Sequence, residues 1–251
     1  MIQDAEQKGI LKKGDTLIEV SSGNTGISLA GISLLKGYHL NVILPNNASS
    51  DRVNILKGLG AEIIFVKPED WRDKAISYGK ELAKKNNWIM LNQYENEANV
   101  KAHYTTAEEI LNQLGGRITP DFVVLGIGTG GTITGISKVL KQKFPKIKVI
   151  GIVPKDRIEG LRGFKEFKPP ILDLSVIDKI VEVSEEEAIE GLRDLVMERR
   201  LSVGVSSGAA FFVSKKIAGK EEGTNIIALF PDGADRYSDL YSIKFKAKAG
   251  G

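Results

Sequence analysis

The chain has 251 residues, 42% of them hydrophobic and 27% charged, with a formal charge of +3. That length supplies ample core for one large or two smaller domains, and a small, scattered positive charge excludes a nucleic-acid footprint. The absence of cysteine, with only two histidines, excludes disulfides, thiolate metal ligands and a cysteine nucleophile, and leaves no basis for a histidine-rich metal site.

Residues 1–9 read as the tail of a helix. The start MIQDAEQKGILKKGD lacks the apolar core of a signal peptide, and no apolar run reaches membrane-spanning length, so a cytoplasmic protein without a membrane partner is expected. Short β-branched runs at 16–20, 40–44, 62–66, 88–91, 122–125, 149–153, 179–183 and 225–230 predict strands. Helical patterns stand between most of them, at 26–35, 50–59, 70–85, 105–114, 132–144, 185–199 and 208–218. Ser184 with Glu187 forms the pattern of a capping box at the start of one of these helices. Alternation of this kind predicts an α/β protein with mostly parallel sheets, whose functional loops sit at the carboxyl ends of strands. The polar stretch NQYENEANV at 92–100 breaks the rhythm. It divides the chain into a smaller, mobile lobe at 1–98 and a larger lobe at 99–251. The segment 155–175, with two consecutive prolines, is the least regular piece.

Three loops depart from ordinary turn composition. The first, EVSSGNTGISLAG at 19–31, places Ser21, Ser22, Gly23, Asn24, Thr25 and Gly26 between a strand and a helix. Small side chains leave its backbone N–H groups accessible, and a helix N-terminus adds its dipole, which together make an anion seat. The second, GIGTGGTITG at 126–135, carries five glycines and three threonines. The amides of Gly128, Thr129, Gly130, Gly131 and Thr132 can wrap a phosphate there, with hydroxyls as further donors. A tight turn in which glycine only relieves crowding is the plainer reading. A dinucleotide site, suggested by G-x-G-x-x-G-like spacing, fails because the next strand ends in Pro154 and Lys155 rather than an acidic ribose partner. The third, VGVSSGAAFF at 203–212, again feeds a helix, and Ser206 and Ser207 are N-cap candidates. A ligand with both a phosphate and a carboxylate would use at least two such loops.

SSGNTGISLA, NQYENEAN, GIGTGGTITGI and GVSSGAA occur in the order and spacing of the cysteine synthase group. The chain therefore resembles, over its whole length, the tryptophan-synthase-β-like (fold type II) pyridoxal-phosphate enzymes. The resemblance implies a two-lobed, three-layer αβα fold and pyridoxal 5′-phosphate as cofactor. By it, Gly128, Thr129, Gly130, Gly131 and Thr132 would hold the cofactor phosphate, Ser206 would face the pyridine nitrogen, and Asn24 would contact the 3′-oxygen. Ser21, Ser22, Gly23 and Thr25, with Gln93, would bind the α-carboxylate of an amino-acid substrate. Serine stands at position 21 where the family often has threonine, and the hydroxyl is kept. A neutral serine facing the ring nitrogen suits β-elimination, because it holds no proton there and limits the electron sink.

The family reaction is β-replacement on an activated serine, with sulfide or another sulfur nucleophile such as a thiocarboxylate adding after the leaving group departs. Where relatives carry a small, apolar loop, this chain reads EGLRGFKEF. Arg162 there would pair bidentately with a phosphate, so O-phosphoserine is expected over O-acetylserine; a surface arginine is the plainer alternative. The family's lysine motif lies ahead of the helix tail at 1–9, so an N-terminally truncated chain with no catalytic residue of its own is expected. Lys8, Lys12 and Lys13 match no family position and should be solvated. The resemblance also implies a homodimer. Its alternatives are a catalytically dead interaction module of the same fold, or a cystathionine β-synthase.

Overall fold

The computed structural model describes residues 1–21, 23–71, 73–156, 158–163, 168–237 and 241. The chain forms two compact units, Met1–Ala98 and Asn99–Gly251.

Unit 1 runs α1 (Ile2–Gln7), β1 (Thr16–Val20), α2 (Asn24–Lys36), β2 (His39–Pro45), α3 (Ser50–Gly58), β3 (Glu62–Val66), α4 (Asp73–Asn86) and β4 (Ile89–Met90). Its four strands are parallel and ordered β3-β2-β1-β4. β1 and β2 are buried almost end to end, as aliphatic strands covered on both faces must be, whereas the edge strand β3 is half-exposed. Leu17, Leu29, Ala30, Val42, Leu44 and Leu56 gather in one core cluster on the α2 and α3 side. On the opposite face α4 comes close through Gly79, where an added Cβ would stand 3.2 Å from both Val20 and Ile43 side chains.

Unit 2 follows with α5 (Glu97–Leu114), β5 (Phe122–Gly126), α6 (Gly131–Lys143), β6 (Lys148–Pro154), β7 (Lys179–Val183), α7 (Glu185–Met197), α8 (Val205–Ala218) and β8 (Ile226–Ala228). The first two residues of α5 still belong to unit 1. The sheet order is β7-β6-β5-β8, again all parallel. Side chains alternate between two cores, as the period of a strand requires. Val124, Ile150 and Ile152 face Leu192, Ala209 and Val213 of α7 and α8, while Val123, Leu125 and Val149 face Ala107, Ile133 and Leu140 of α5 and α6. The two units thus share one α/β plan: three layers about a parallel four-stranded sheet.

That plan fixes where loops can bind something. In each sheet the chain steps outward from the first strand and then returns to its other side, so a crevice opens at the carboxyl ends of β1 and β4 in one unit and of β5 and β8 in the other. Residues 21, 23–26 and 92–93 occupy the first position, and residues 127–132 the second.

Three expectations shift at element ends. The polar stretch at 92–100 is not wholly a break: α5 begins at Glu97, helped by Asn96 Oδ1, which accepts the Ala98 N–H at 2.9 Å. The last strand shortens to Ile226–Ala228 and the fourth to Ile89–Met90, because only those residues pair with a neighbour. The helix expected at 208–218 starts at Val205. The capping box forms as the spacing predicts, Glu187 N–H donating to Ser184 Oγ at 3.2 Å and Ser184 N–H to Glu187 Oε2 at 3.0 Å.

Candidate functional site

In unit 1 the 21–26 loop opens α2, a helix of 13 residues whose N-cap, Gly23, offers no capping side chain. Ser21 is buried and organises the turn from within: its Oγ accepts the N–H groups of Gly26 at 3.0 Å and Gly23 at 3.3 Å. Gly26 sits against it so closely that a Cβ would meet the Ser21 carbonyl oxygen at 3.3 Å. The N–H groups of Asn24 and Thr25 stand in the first turn, where a helix has no partners of its own to give them. Ser22 lies outside the described residues.

Gln93 reaches the loop from the strand beside it. Asn92, just after β4, takes a left-handed backbone with φ 52°, a conformation asparagine tolerates better than most residues. Its carbonyl accepts the N–H groups of Glu95 at 3.1 Å and Asn96 at 3.0 Å. The bend turns Gln93 back over β1, where its Nε2 donates to the Val20 carbonyl at 2.8 Å. Its Oε1 accepts the Thr25 hydroxyl at 2.7 Å. Thr25 and Gln93, distant in sequence, are thus joined by a direct hydrogen bond.

Directly under this loop lies a group the sequence reading missed. Glu19, the fourth residue of β1, is 0% exposed. Oε1 accepts the Val20 N–H at 3.2 Å and Oε2 has no hydrogen-bond partner. Burial pushes its pKa up to about 7, against the pull of the Val20, Gln93 and Asn92 N–H groups. Alternation along β1 gives no warning of a carboxyl there, since a strand buried on both faces has no polar side.

In unit 2 the loop after β5 opens α6, another helix of 13 residues without a capping side chain, its N-cap Gly130 at φ 88°. Glycine is required twice over. Gly130 needs the left-handed region, and a Cβ on it would stand 2.6 Å from Leu172 Cβ. A Cβ on Gly128 would meet the Gly160 carbonyl at 2.7 Å. The segment 160–162 lies along 126–128, with the Arg162 N–H donating to the Ile127 carbonyl at 2.8 Å and Leu161 packed on Gly126. Gly160, which the sequence reading did not single out, also touches Ser206: a Cβ there would be 3.8 Å from Ser206 Cβ and Oγ. Gly128, Gly160 and Ser206 are thereby brought into one neighbourhood of unit 2. Arg162 is half-buried beside it; residues 164–167 of its loop lie outside the described residues.

Ser206 and Ser207 are not N-caps. Gly204 holds that position, and both serines lie inside the first turn of α8, 5% and 0% exposed. The Ser207 hydroxyl is buried without a partner. Gly204 is needed because a Cβ there would collide with Asp232 Oδ1.

The donor set fits a phosphorylated pyridine. An uncapped helix N-terminus with five consecutive residues of small or hydroxylic side chain matches a dianion, and a buried neutral serine suits a ring nitrogen. Among the described residues no group of His, Cys, Asp and Glu could hold a metal ion, and no helix is long and apolar enough to cross a membrane. Lys8, Lys12 and Lys13 are exposed, as expected.

Comparison with known proteins points to the same cofactor. Residues 1–232 match the family described as pyridoxal-phosphate dependent enzyme. A cysteine synthase of Aquifex aeolicus is 39% identical, the match covering 94% of this chain and 75% of that protein. A cystathionine beta-synthase of Apis mellifera is 40% identical over 94% of this chain, which spans 51% of that longer protein. A crystal structure of O-ureido-L-serine synthase superposes with a TM-score of 0.93 at 32% identity, covering 100% of this chain and 82% of the other.

Proposed function

The chain belongs to the pyridoxal-phosphate dependent enzymes, within the fold type II cysteine synthase group, and from that premise we propose that it serves cysteine biosynthesis by β-replacement on an activated serine. Pyridoxal phosphate, when bound, supplies the electron sink that lets the serine β-substituent leave and a sulfur nucleophile take its place. The observation that carries this reading is the uncapped N-terminus of α6 with Gly160 and Ser206 gathered on its glycine loop. Gly128, Thr129, Gly130, Gly131 and Thr132 hold the phosphate through amides and hydroxyls, and Ser206 meets the ring nitrogen as a neutral partner. In unit 1 Ser21, Ser22, Gly23 and Thr25, with Gln93, bind the substrate α-carboxylate; the Thr25 hydroxyl donates to Gln93 Oε1, so Thr25 offers the anion its N–H.

O-Phosphoserine is the favoured substrate. Support comes from Arg162, whose backbone is tied at 2.8 Å to Ile127, the residue before Gly128. A guanidinium pairs with a phosphate through two parallel hydrogen bonds and has no comparable match in an acetyl ester. The cofactor-loaded chain should bind O-phosphoserine more tightly than O-acetylserine, read from the cofactor absorbance. Arg162→Ala should weaken the first by about tenfold or more and leave the second unchanged; equal losses for both would end the proposal.

The sulfur donor is sulfide or a protein thiocarboxylate, and the working form is a cytoplasmic homodimer, which equilibrium sedimentation tests. The 40% identity to a cystathionine beta-synthase favours homocysteine as the second nucleophile to assay; faster product formation with homocysteine than with sulfide would move the assignment there. Lys8, Lys12 and Lys13 are solvated, and none of the three holds the cofactor covalently. Borohydride reduction followed by mass spectrometry should leave no cofactor mass on any of them, and an adduct on one would overturn this reading. Cofactor binding without turnover on any serine ester would assign the chain as a non-catalytic binding module.

A further inference from the structure

The glycines of the 126–135 loop do more than admit a phosphate. Gly131 and Gly135, one turn apart, are the points where α6 lies against α5. A Cβ on Gly131 would stand 2.5 Å from Asn99 Oδ1, and one on Gly135 would stand 2.4 Å from the Val100 carbonyl and 2.6 Å from His103 Cβ. Close approach of the two helices sets two polar side chains of α5, Asn99 and His103, behind two threonines of the loop. Asn99 Nδ2 donates to Thr129 Oγ1 at 3.1 Å. His103 Nε2 lies 3.0 Å from Thr132 Oγ1, and its Nδ1 is 3.4 Å from the Thr106 hydroxyl.

The tautomer of His103 decides which way the Thr132 hydroxyl points. A neutral imidazole has one N–H donor and one acceptor, and a threonine hydroxyl has a single proton. If Thr132 donated to His103, only lone pairs would remain to face an anion. If His103 Nε2–H donates to Thr132, the hydroxyl proton is left for the anion, and Thr106 can donate to Nδ1. Asn99 acts alike on Thr129, since an amide N–H can only donate. Burial holds the His103 pKa below its usual value, which keeps the ring neutral and its two nitrogens distinct.

Resting on the reading of this loop as a phosphate seat, we propose that His103 is a positioning residue that, with Asn99, turns the Thr132 and Thr129 hydroxyls toward the cofactor phosphate by donating to their oxygens. Neither residue touches the cofactor. Both act on the phosphate alone, so their effect is confined to ligands that carry one.

Equilibrium dialysis of the intact chain against pyridoxal phosphate and against pyridoxal separates the cases. His103→Ala should weaken pyridoxal phosphate by about tenfold and leave pyridoxal unchanged, and His103→Gln, whose amide can donate from the same region, should recover most of the loss. With only two histidines in the chain, His39→Gln assigns the 15N imidazole spectrum, and inorganic phosphate should shift His103 toward the Nε2–H tautomer. Equal weakening of both cofactor forms would show a merely structural role and overturn the proposal, as would an unaltered pyridoxal phosphate affinity or an Nδ1–H tautomer with phosphate bound. A parent chain that binds neither pyridoxal phosphate nor inorganic phosphate would overturn instead the reading of the loop itself.

Discussion

Replacing Glu19 by glutamine should change how the stability of unit 1 depends on pH. The carboxyl is 0% exposed, with Oε2 unpartnered, and burial carries its pKa from 4.5 to about 7. Between those values the folded chain keeps a proton that the unfolded chain has released, so stability falls as pH rises through that window and levels off above it. A displacement of that size corresponds to about 3 kcal/mol. Glutamine keeps an oxygen for the Val20 N–H, which the native side chain accepts at 3.2 Å, and does not ionise. The variant should therefore match the parent near pH 4 and exceed it near pH 8, by an amount approaching that figure. Both tryptophans, Trp71 and Trp88, lie in unit 1, so urea unfolding followed by tryptophan fluorescence reads the right part of the molecule. A difference between parent and variant that stays constant from pH 4 to pH 8 would refute the reasoning.

Gly135→Ala should destabilise unit 2 by about 2 kcal/mol or more, since its Cβ would press on the Val100 carbonyl at 2.4 Å and backbone cannot yield as a flexible side chain can; thermal unfolding measures it. Gln93→Leu leaves the Val20 carbonyl and the Thr25 hydroxyl without partners now held at 2.8 and 2.7 Å, and should cost unit 1 about 2–4 kcal/mol in urea titration. Ser184→Ala removes one half of the capping box at α7 and should cost about 1 kcal/mol, visible as a lower unfolding midpoint with unchanged slope.

Much of the architecture was legible because its signals are local. Thr16–Val20, Glu62–Val66 and Lys179–Val183 are strands with the ends their β-branched composition predicts, and Ser184 with Glu187 caps α7 through bonds that span three residues. The loops at 21–26 and 126–132 were readable for the same reason: their composition is unusual within a single short window. What escaped notice depends on contacts between distant segments. Gly160 counts only because the 160–162 segment lies against 126–128, and nothing in EGLRG announces that neighbour. His103 and Asn99 lie one turn apart on a helix whose start was hidden by polar residues, and their partners arrive from the 129–132 loop. Glu19 sits in a strand whose aliphatic neighbours gave no reason to ask where a carboxyl would find its hydrogen bonds. Ser206 and Ser207 misled in the opposite sense: serines before a helical run suggest caps, but α8 begins earlier because Gly204 can take the place beside Asp232 that any side chain would block.

The common strand order of the two sheets has a consequence for how such a chain can diverge. The loops at 21–26 and 126–132 leave the inner strands β1 and β5, while β3 and β7 form the far edges. Residues can be gained or lost beyond those outer strands without altering the spacing of the amides in either loop. A lineage can thus remodel one margin of either half to acquire new contacts or controls while its chemistry stays still.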